Sequence, residues 1–225
     1  MGKQQQTKTV VVFDFDHTLT RWDSSDRFFR WLLKRNVWRT VMVIIASPLL
    51  LPLLLSARAR KYPVRYAIWV ATFGLSHDDL AALAATHVDE LHRHEPLLLL
   101  QDALNQLNVH IELGHSVVIA TGSLQLIARE YLNRSKIGHV PLVASTLKPF
   151  LGGMASDQHC FSHRKIPMLI ARGFPPPWSV TYTDHAVDLP VIAESAQWFL
   201  VNPKPKSLAK VREHMQCEPS VLSWR

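Results

Sequence analysis

The sequence predicts an α/β fold with a mostly parallel sheet. Short apolar segments rich in valine, first at residues 9–15 and again in "HSVVIATGS", are typical of strands buried on both faces. Segments with helical spacing lie between them, an alternation characteristic of parallel sheets covered by helices. The length of 225 residues and the apolar content of 48% suit one domain, or one domain with a large insertion.

The predicted elements follow one another in a regular order. A helix over residues 23–38 follows the first strand, an uncharged run occupies residues 40–57, and residues 76–108 are predicted to be helical. Ser76 and Asp79 have the spacing of a capping box at the start of that helical region. The rest is predicted as strand "HSVVIATGS", helix "LQLIAREYLNR", strand "VPLVAST", hairpin "PFLGGMASD", helix "RKIPMLIARG", strand "WSVTYTD", helix "LPVIAESA" and strand "QWFLVNP".

Polar residues follow three predicted strands at the point where each strand ends. Asp14 and Asp16 end the first, residues 121–123 (Thr-Gly-Ser) end the second, and Asp184 follows a third. In one parallel sheet these ends lie at one edge, where ligands gather. Carboxylates that converge need a cation, and hard oxygen ligands favour Mg²⁺, which is often shared with a phosphate. Together with Lys165 at a helix start, the pattern predicts a magnesium and phosphate site.

The segments "DFDHTLT" and "TGS", then Lys165, then "TDHAVD" resemble, in that order, the four motifs of the haloacid-dehalogenase-like phosphatase superfamily. The resemblance covers about residues 8–20 and 112–205 and implies a Rossmann-like sheet core. The 107 residues from Asp14 to Thr121 leave room for an inserted helical cap, as in the phosphoserine-phosphatase-like subclass. We therefore expect the core at residues 1–20 and 110–225 and the cap at residues 21–109.

The resemblance implies a role for each acid of the first motif. Asp14 would attack phosphorus and form an aspartyl-phosphate, and Asp16 would act first as general acid and then as general base. Asp14, the backbone carbonyl of Asp16 and Asp184 would hold Mg²⁺. P-type ion pumps resemble the same core but carry threonine at the position of Asp16, so the acid favours a phosphatase. His17 is expected to pack beside the site.

The later motifs are implied to bind the phosphate. Thr121 and the backbone amide of Gly122 would contact phosphate oxygens, and Lys165 would neutralise their charge. Asp188 would orient Lys165 or a water bound to the metal. Thr183 stands where many members of the superfamily carry glycine, which is expected to leave the backbone less free.

Basic residues surround the uncharged run. Residues 21–65 hold ten Lys and Arg and two Asp, in a chain of net charge +7, which favours an anionic membrane surface as partner. The apolar segment at about 40–55 would rise about 24 Å as a helix, short of the roughly 30 Å of a hydrocarbon core. Site residues lie on both sides of it, so we expect a shallow interfacial hairpin with "YAIWVATFGL" as the returning arm. A buried cap helix is the alternative, and aromatic residues among the charges leave nucleic acid as a less favoured partner.

The cap segment "RFFRWLLKRN", with "LLLPLLL", "RARKYPVRYAIWVATFG" and the later "ATGS", resembles the phosphatidylglycerophosphatase C family of bacterial enzymes. This resemblance implies conversion of phosphatidylglycerophosphate to phosphatidylglycerol at the cytoplasmic face of the inner membrane, with no nucleic-acid partner. Two alternatives stay open: a phosphatase of small soluble phosphomonoesters such as phosphoserine, and a non-catalytic membrane adaptor. The intact set of carboxylates disfavours the adaptor. Two cysteines without a spaced framework indicate a reducing compartment.

Overall fold

The computed structural model describes residues 9–56 and 58–225. Its strands are β1 (Val10–Phe13), β2 (Ser116–Leu124), β3 (Leu142–Ser145), β4 (Leu147–Phe150), β5 (Gly153–Ser156), β6 (Trp178–Thr183), β7 (Ser195–Val201) and β8 (Val221–Leu222). Six of them form one parallel sheet in the order β3-β2-β1-β6-β7-β8, while β4 and β5 form an antiparallel hairpin. The predicted fold class is confirmed.

The strands alternate with helices, as expected. The described residues form α1 (Ser24–Lys34), α2 (Val37–Leu54), α3 (Lys61–Thr72), α4 (His77–His94), α5 (Gln101–Glu112), α6 (Gln125–Arg134), α7 (Lys165–Ala171), α8 (Leu189–Ala193) and α9 (Pro205–Met215). Helix α9 and strand β8 were not predicted. Proline occupies the first position of α9, where its missing N–H costs no hydrogen bond.

Strand β1 lies in the middle of the sheet, which explains its run of valines. Val12 aligns with Val118 of β2 on one side and with Thr181 of β6 on the other. Val11 and Phe13 are fully buried, and Phe13 stacks on Tyr182 with ring centroids 4.5 Å apart. The carboxyl ends of β1, β2 and β6 are therefore neighbours at one edge of the sheet.

Helices α1 to α5 lie between β1 and β2. The capping box at Ser76 is present, but the predicted helical region 76–108 is two helices separated by residues 95–100. Helix α1 ends at Lys34 instead of residue 38 because Asn36 caps the start of α2. One hydrophobic cluster joins α1, α3, α4 and α5 to the sheet. The division into core and cap stays a prediction, and residues 1–8 of that core lie outside the described residues.

Helices α2 and α3 form an antiparallel hairpin. Helix α2 continues through Pro48 and Pro52, and the Ser47 hydroxyl donates to the Ile44 carbonyl, which the proline nitrogen cannot do. The Tyr66 hydroxyl of α3 donates to the backbone of α2 at a distance of 3.2 Å. Within the described residues α2 is the one helix whose length and composition would allow it to cross a membrane. Its large apolar side chains are mostly exposed, as with Ile45 at 65%.

Candidate active site

A cavity of about 460 Å³ opens where β1, β2 and β6 end. It brings together six of the seven residues predicted to form the site, and the seventh, Asp188, contacts one of them. The lining residues are Asp14, Asp16, His17, Asp23, Ser25, Arg60, Thr121, Gly122, Ser123, His159, Phe161, Lys165, Asp184, His185 and Val187. Their grouping follows from the strand order, although their catalytic roles stay predictions.

Asp14 continues the central strand by one residue. Its backbone N–H donates to the Tyr182 carbonyl at 2.9 Å, which fixes the position of the residue at the carboxyl end of β1. Burial raises the pKa of its carboxyl to about 7, against the opposing effect of Lys165 and with added repulsion from Asp188 and Asp184. A carboxylate in this position needs positive charge nearby to stay ionised.

Lys165 supplies part of that charge. It is the first residue of α7, and its Nζ lies 2.8 Å from Asp14 Oδ1 and 2.8 Å from Asp188 Oδ2. The side chain is 4% exposed. Burial alone would lower the pKa of this amine, but the two carboxylates outweigh burial and raise it. The ammonium therefore stays charged between Asp14 and Asp188.

Asp188 is held from two sides. Its Oδ2 accepts hydrogen bonds from Lys165 and from the Thr183 hydroxyl, both at 2.8 Å. Thr183 was expected only to restrict the backbone at a glycine position, whereas its hydroxyl is in fact a partner of Asp188. The other oxygen, Oδ1, is buried and has no hydrogen-bond partner among the described residues. A buried acceptor without a partner is energetically costly, so a donor such as a water molecule would stabilise this oxygen.

Asp184 follows β6 directly and is buried. Its carbonyl accepts a hydrogen bond from the Ser207 hydroxyl at 3.2 Å, and the Ala186 N–H donates to that same hydroxyl at 2.7 Å. Burial and the nearby charge of Asp188 raise the pKa of its carboxyl to about 6. The turn that presents Asp184 is thus fixed by α9, an element that the sequence pattern did not predict.

Asp16 lies in the turn after β1. The Phe15 carbonyl accepts from the backbone N–H groups of Leu19 and Thr20, which closes this turn. One Asp16 oxygen accepts the Ser24 N–H at 3.0 Å. Burial, and then the charge of Asp23, raise the pKa of the Asp16 carboxyl to about 7. A carboxyl that exchanges its proton near neutral pH is suited to general acid–base catalysis.

The second motif lies on an irregular part of β2. The ladder with β3 pairs Thr121 with Ala144 and then Leu124 with Ser145, so Gly122 and Ser123 bulge out of the register. The sequence predicted a turn here, but the strand continues through the bulge. The Ser145 hydroxyl donates to the Gly122 carbonyl at 2.7 Å. A bulge of this kind turns backbone groups away from the ladder and towards a ligand.

Ser24 and Ser25, which were not predicted from the sequence as part of the site, join α1 to Ser123 of the second motif. The Ser123 hydroxyl lies 2.6 Å from that of Ser24 and 2.5 Å from that of Ser25, and Ser25 also accepts the Leu124 N–H at 2.8 Å. The only signal in the sequence was the pair of serines after Asp23, which is the N-cap of α1. Helix α1 is therefore bonded to both the first and the second motif.

The residues present suit a hard divalent cation. Across residues 9–56 and 58–225 no group of three His, Cys, Asp or Glu side chains is placed to hold a metal. The predicted set needs only two carboxylates, those of Asp14 and Asp184, because its third ligand is the Asp16 carbonyl. Both carboxyls have a raised pKa, which a bound cation would reverse. Asp188 Oδ1, which has no partner among the described residues, would be available as an acceptor for a water near the cation.

Comparisons with known proteins bear on the family and the fold. A family model described as haloacid dehalogenase-like hydrolase matches residues 11–193. A protein of unknown function from Bordetella pertussis Tohama I superposes with a TM-score of 0.67 at 18% identity, over 96% of this chain and 99% of that one. A substrate-bound phosphoserine phosphatase superposes with a TM-score of 0.60 at 13% identity, over 97% of this chain and 94% of that one. A phospho-aspartyl intermediate analogue of phosphoserine phosphatase superposes with a TM-score of 0.55 at 15% identity, over 93% of this chain and 98% of that one.

These structural similarities lie at low sequence identity and establish the shared fold. The family match covers most of the chain, including the first and the last of the four predicted motifs. It confirms that the chain is a hydrolase, as the predicted enzyme class requires. The chain belongs to the haloacid dehalogenase-like hydrolase family.

Proposed function

We propose that this hydrolase is a Mg²⁺-dependent phosphatase that converts phosphatidylglycerophosphate to phosphatidylglycerol at the cytoplasmic face of a bacterial inner membrane. The observation that carries the proposal is the position of Arg60, which lines the same cavity as Asp14. Arg60 precedes α3 and follows the end of α2 by six residues. Leu55, just past that end, is 92% exposed. An apolar surface suited to a bilayer is thus joined to a cation suited to an anionic headgroup.

The chemistry in this proposal has two steps. Asp14 attacks the phosphorus, the bond to the lipid oxygen breaks, and Asp16 gives its proton to the departing alkoxide. Asp16 then takes a proton from the water that attacks the aspartyl-phosphate, which releases inorganic phosphate and restores Asp14. The raised pKa of Asp16, about 7, and its bond to the Ser24 N–H support this role.

Charge stabilisation comes from the groups around Asp14. Lys165, 2.8 Å from the nucleophile, would neutralise phosphate oxygens, and Thr121 and the Gly122 amide would orient them. Mg²⁺ held by Asp14, the Asp16 carbonyl and Asp184 would, when bound, neutralise charge on the phosphate.

The test is an assay of purified protein with Mg²⁺ on phosphatidylglycerophosphate, phosphoserine and p-nitrophenyl phosphate. The double variant Ile45→Asp, Leu49→Asp charges the exposed side of α2, and Leu113→Asp, an exposed leucine at the end of α5, is the matched control. We expect the double variant to lose hydrolysis of the lipid but to retain hydrolysis of p-nitrophenyl phosphate. Equal loss on both substrates would show that α2 serves folding alone.

Arg60 gives a second, independent comparison. Arg60→Gln removes the cation that the turn before α3 contributes to the cavity. We expect kcat/KM to fall by about 10- to 100-fold on the lipid and little on p-nitrophenyl phosphate, since a hydrogen bond to a charged group is worth about 1.5–3 kcal/mol. An equal change on both substrates would contradict a headgroup role for Arg60.

Small soluble phosphomonoesters such as phosphoserine are the second candidate substrates, favoured by the similarity to phosphoserine phosphatases. Rapid hydrolysis of phosphoserine, without lipid or detergent and with no preference for phosphatidylglycerophosphate, would establish that alternative. A non-catalytic adaptor is disfavoured because Asp14, Asp16 and Lys165 are all at the cavity.

A further inference from the structure

The β4–β5 hairpin exposes a second apolar surface, apart from α2. Its tip, residues 150–153, includes Phe150 at 52% and Leu151 at 76% exposure. The sequence predicted this hairpin from its Gly-Gly pair but assigned it no role. Large apolar side chains on a tip are unusual, because exposed turns are normally polar.

The tip is fixed on α3. The Trp69 Nε1–H is shared between the carbonyls of Phe150 and Leu151, each at 3.2 Å. The Gly74 N–H, just after α3, donates to the Gly152 carbonyl at 2.7 Å. The tip and α3 therefore form one surface, and the apolar side chains are held in place before any partner binds.

Two glycines make this close contact feasible. A Cβ atom at Gly153 would lie 2.8 Å from Trp69 Cδ1, and one at Gly152 would lie 3.0 Å from the Phe73 ring. Gly152 also has a φ of +78°, which other residues rarely adopt. The sequence around the tip thus suits its attachment to α3.

Leu151 is not explained by the fold. Its φ of +45° lies in the left-handed region, where asparagine, aspartate and glycine are favoured. With 76% of its surface exposed, it also gains little from packing in the isolated chain. Leucine is therefore unfavourable here on both grounds, unless the side chain is buried against a partner.

The charges around the tip indicate what that partner is. A cavity of about 480 Å³ lies between side chains of α3 and the hairpin, and Arg65 and Lys148 line it. Lys148 pairs loosely with Asp157 at 3.6 Å. The sequence has no Asp or Glu from residue 40 to 77 or from residue 131 to 156. Helices α2 and α3 and the hairpin thus present apolar side chains with basic but no acidic residues, which is complementary to an anionic lipid surface.

We propose that the hairpin tip docks on an anionic bilayer, with Leu151 and Phe150 in the interface and Arg65 and Lys148 at the level of the headgroups. The inference builds on the proposed function, which places α2 at the same membrane. Contact through α2 alone would leave the protein free to rotate about that helix. A second contact at the tip fixes one orientation, and with it the direction in which the active-site cavity faces.

The test measures binding of the full chain to phosphatidylcholine vesicles with and without phosphatidylglycerol. Leu151→Asp suits the left-handed backbone, so the fold should tolerate it. We expect binding to the anionic vesicles to weaken about tenfold or more, since the buried area of one leucine is lost and a repelling charge is added. Leu113→Asp, the same change at an exposed leucine where α5 ends, should bind like the parent. Hydrolysis of p-nitrophenyl phosphate should be unchanged in both variants.

A second readout follows the tip directly. Leu151→Cys in a Cys217→Ser background carries an environment-sensitive fluorophore, since Cys160 is buried. A blue shift on addition of anionic vesicles, absent for a label at residue 113, would support docking. Equal vesicle binding by Leu151→Asp and the parent, or no shift at residue 151, would overturn the inference while leaving the proposed function intact.

Other outcomes separate the two proposals. Loss of vesicle binding in Leu151→Asp, together with no hydrolysis of phosphatidylglycerophosphate by the parent, would refute the proposed function but keep the docking surface. A parent that forms a dimer in solution, converted to a monomer by Leu151→Asp without any change in vesicle binding, would show that the tip contacts a second copy of the chain instead.

Discussion

Replacement of Lys165 by methionine tests the charge balance of the site. The substitution keeps the length of the side chain but removes the ammonium that lies 2.8 Å from both Asp14 and Asp188. Asp14 can respond by taking up a proton at little cost, because its pKa is already raised to about 7. Asp188, whose side chain is 2% exposed, is left as a buried carboxylate with one hydrogen bond fewer.

The size of the effect follows from that burial. Breaking a buried ion pair by removing one partner typically costs about 3–5 kcal/mol. We therefore expect Lys165→Met to lower the free energy of unfolding by about 3–5 kcal/mol, and Tm by roughly 6–20 °C for a chain of this length.

Urea unfolding at pH 7.5, in chelator, measures this loss. Lys148→Met, which removes the exposed contact to Asp157, is the control and should change stability by less than about 1 kcal/mol. Adding Asp188→Asn to Lys165→Met should recover about 1–3 kcal/mol, because the uncompensated charge is gone. A Lys165→Met protein as stable as the parent, or no recovery in the double variant, would refute the reasoning.

Four further results are expected. Asp14→Asn should abolish turnover in a folded protein, since it removes the nucleophile; activity above a few per cent would exclude a covalent route through Asp14. Asp16→Asn should slow turnover by about 10²–10⁴-fold and should still be trapped by beryllofluoride. Activity should need Mg²⁺ and be inhibited by Ca²⁺, whose longer bonds misplace the ligands; full activity in chelator would contradict this. Burial lowers the pKa of His87 to about 4. Between pH 6.5 and 4 this imidazole is therefore protonated in the unfolded chain but not in the folded one, and the free energy of unfolding falls by up to about 3 kcal/mol as the pH drops. The raised pKa values of Asp14, Asp16 and Asp184 act in the opposite sense and stabilise the fold as the pH drops. The contribution of His87 is therefore measured as the difference in urea stability between the parent and His87→Leu, at pH 7.5 and at pH 5. The same difference at both pH values would refute the prediction.

The sheet could be predicted because its signal is local. Strands buried on both faces need long apolar runs, and β1 and the first half of β2 have them. Polar residues at the ends of those runs then indicated where the site lies, since parallel strands bring their carboxyl ends together. The capping box of α4 is likewise a local signal, because it depends on four consecutive residues that begin at Ser76.

Contacts between distant residues could not be predicted from sequence. The hydroxyls of Ser24 and Ser123 meet across 99 residues, and nothing in the sequence near Ser24 indicates that Ser123 is its partner. The continuation of α2 through Pro48 and Pro52 depends on compensating bonds such as that of Ser47. Leu151 gave no sequence signal, because only its backbone conformation and exposure show it to be unusual.

The hydrogen bonds between α1 and the first two motifs limit how this enzyme can be re-engineered. Ser24 orients Asp16 through its backbone N–H, and Ser25 holds the second motif at the Leu124 N–H. The helices between β1 and β2 are therefore not an exchangeable specificity module. A chimera that imports helices from a relative must keep the first turn of α1, or it will lose the orientation of Asp16 along with the old substrate preference. Changes of substrate are better sought beyond Lys34, for example at Arg60, which lines the cavity.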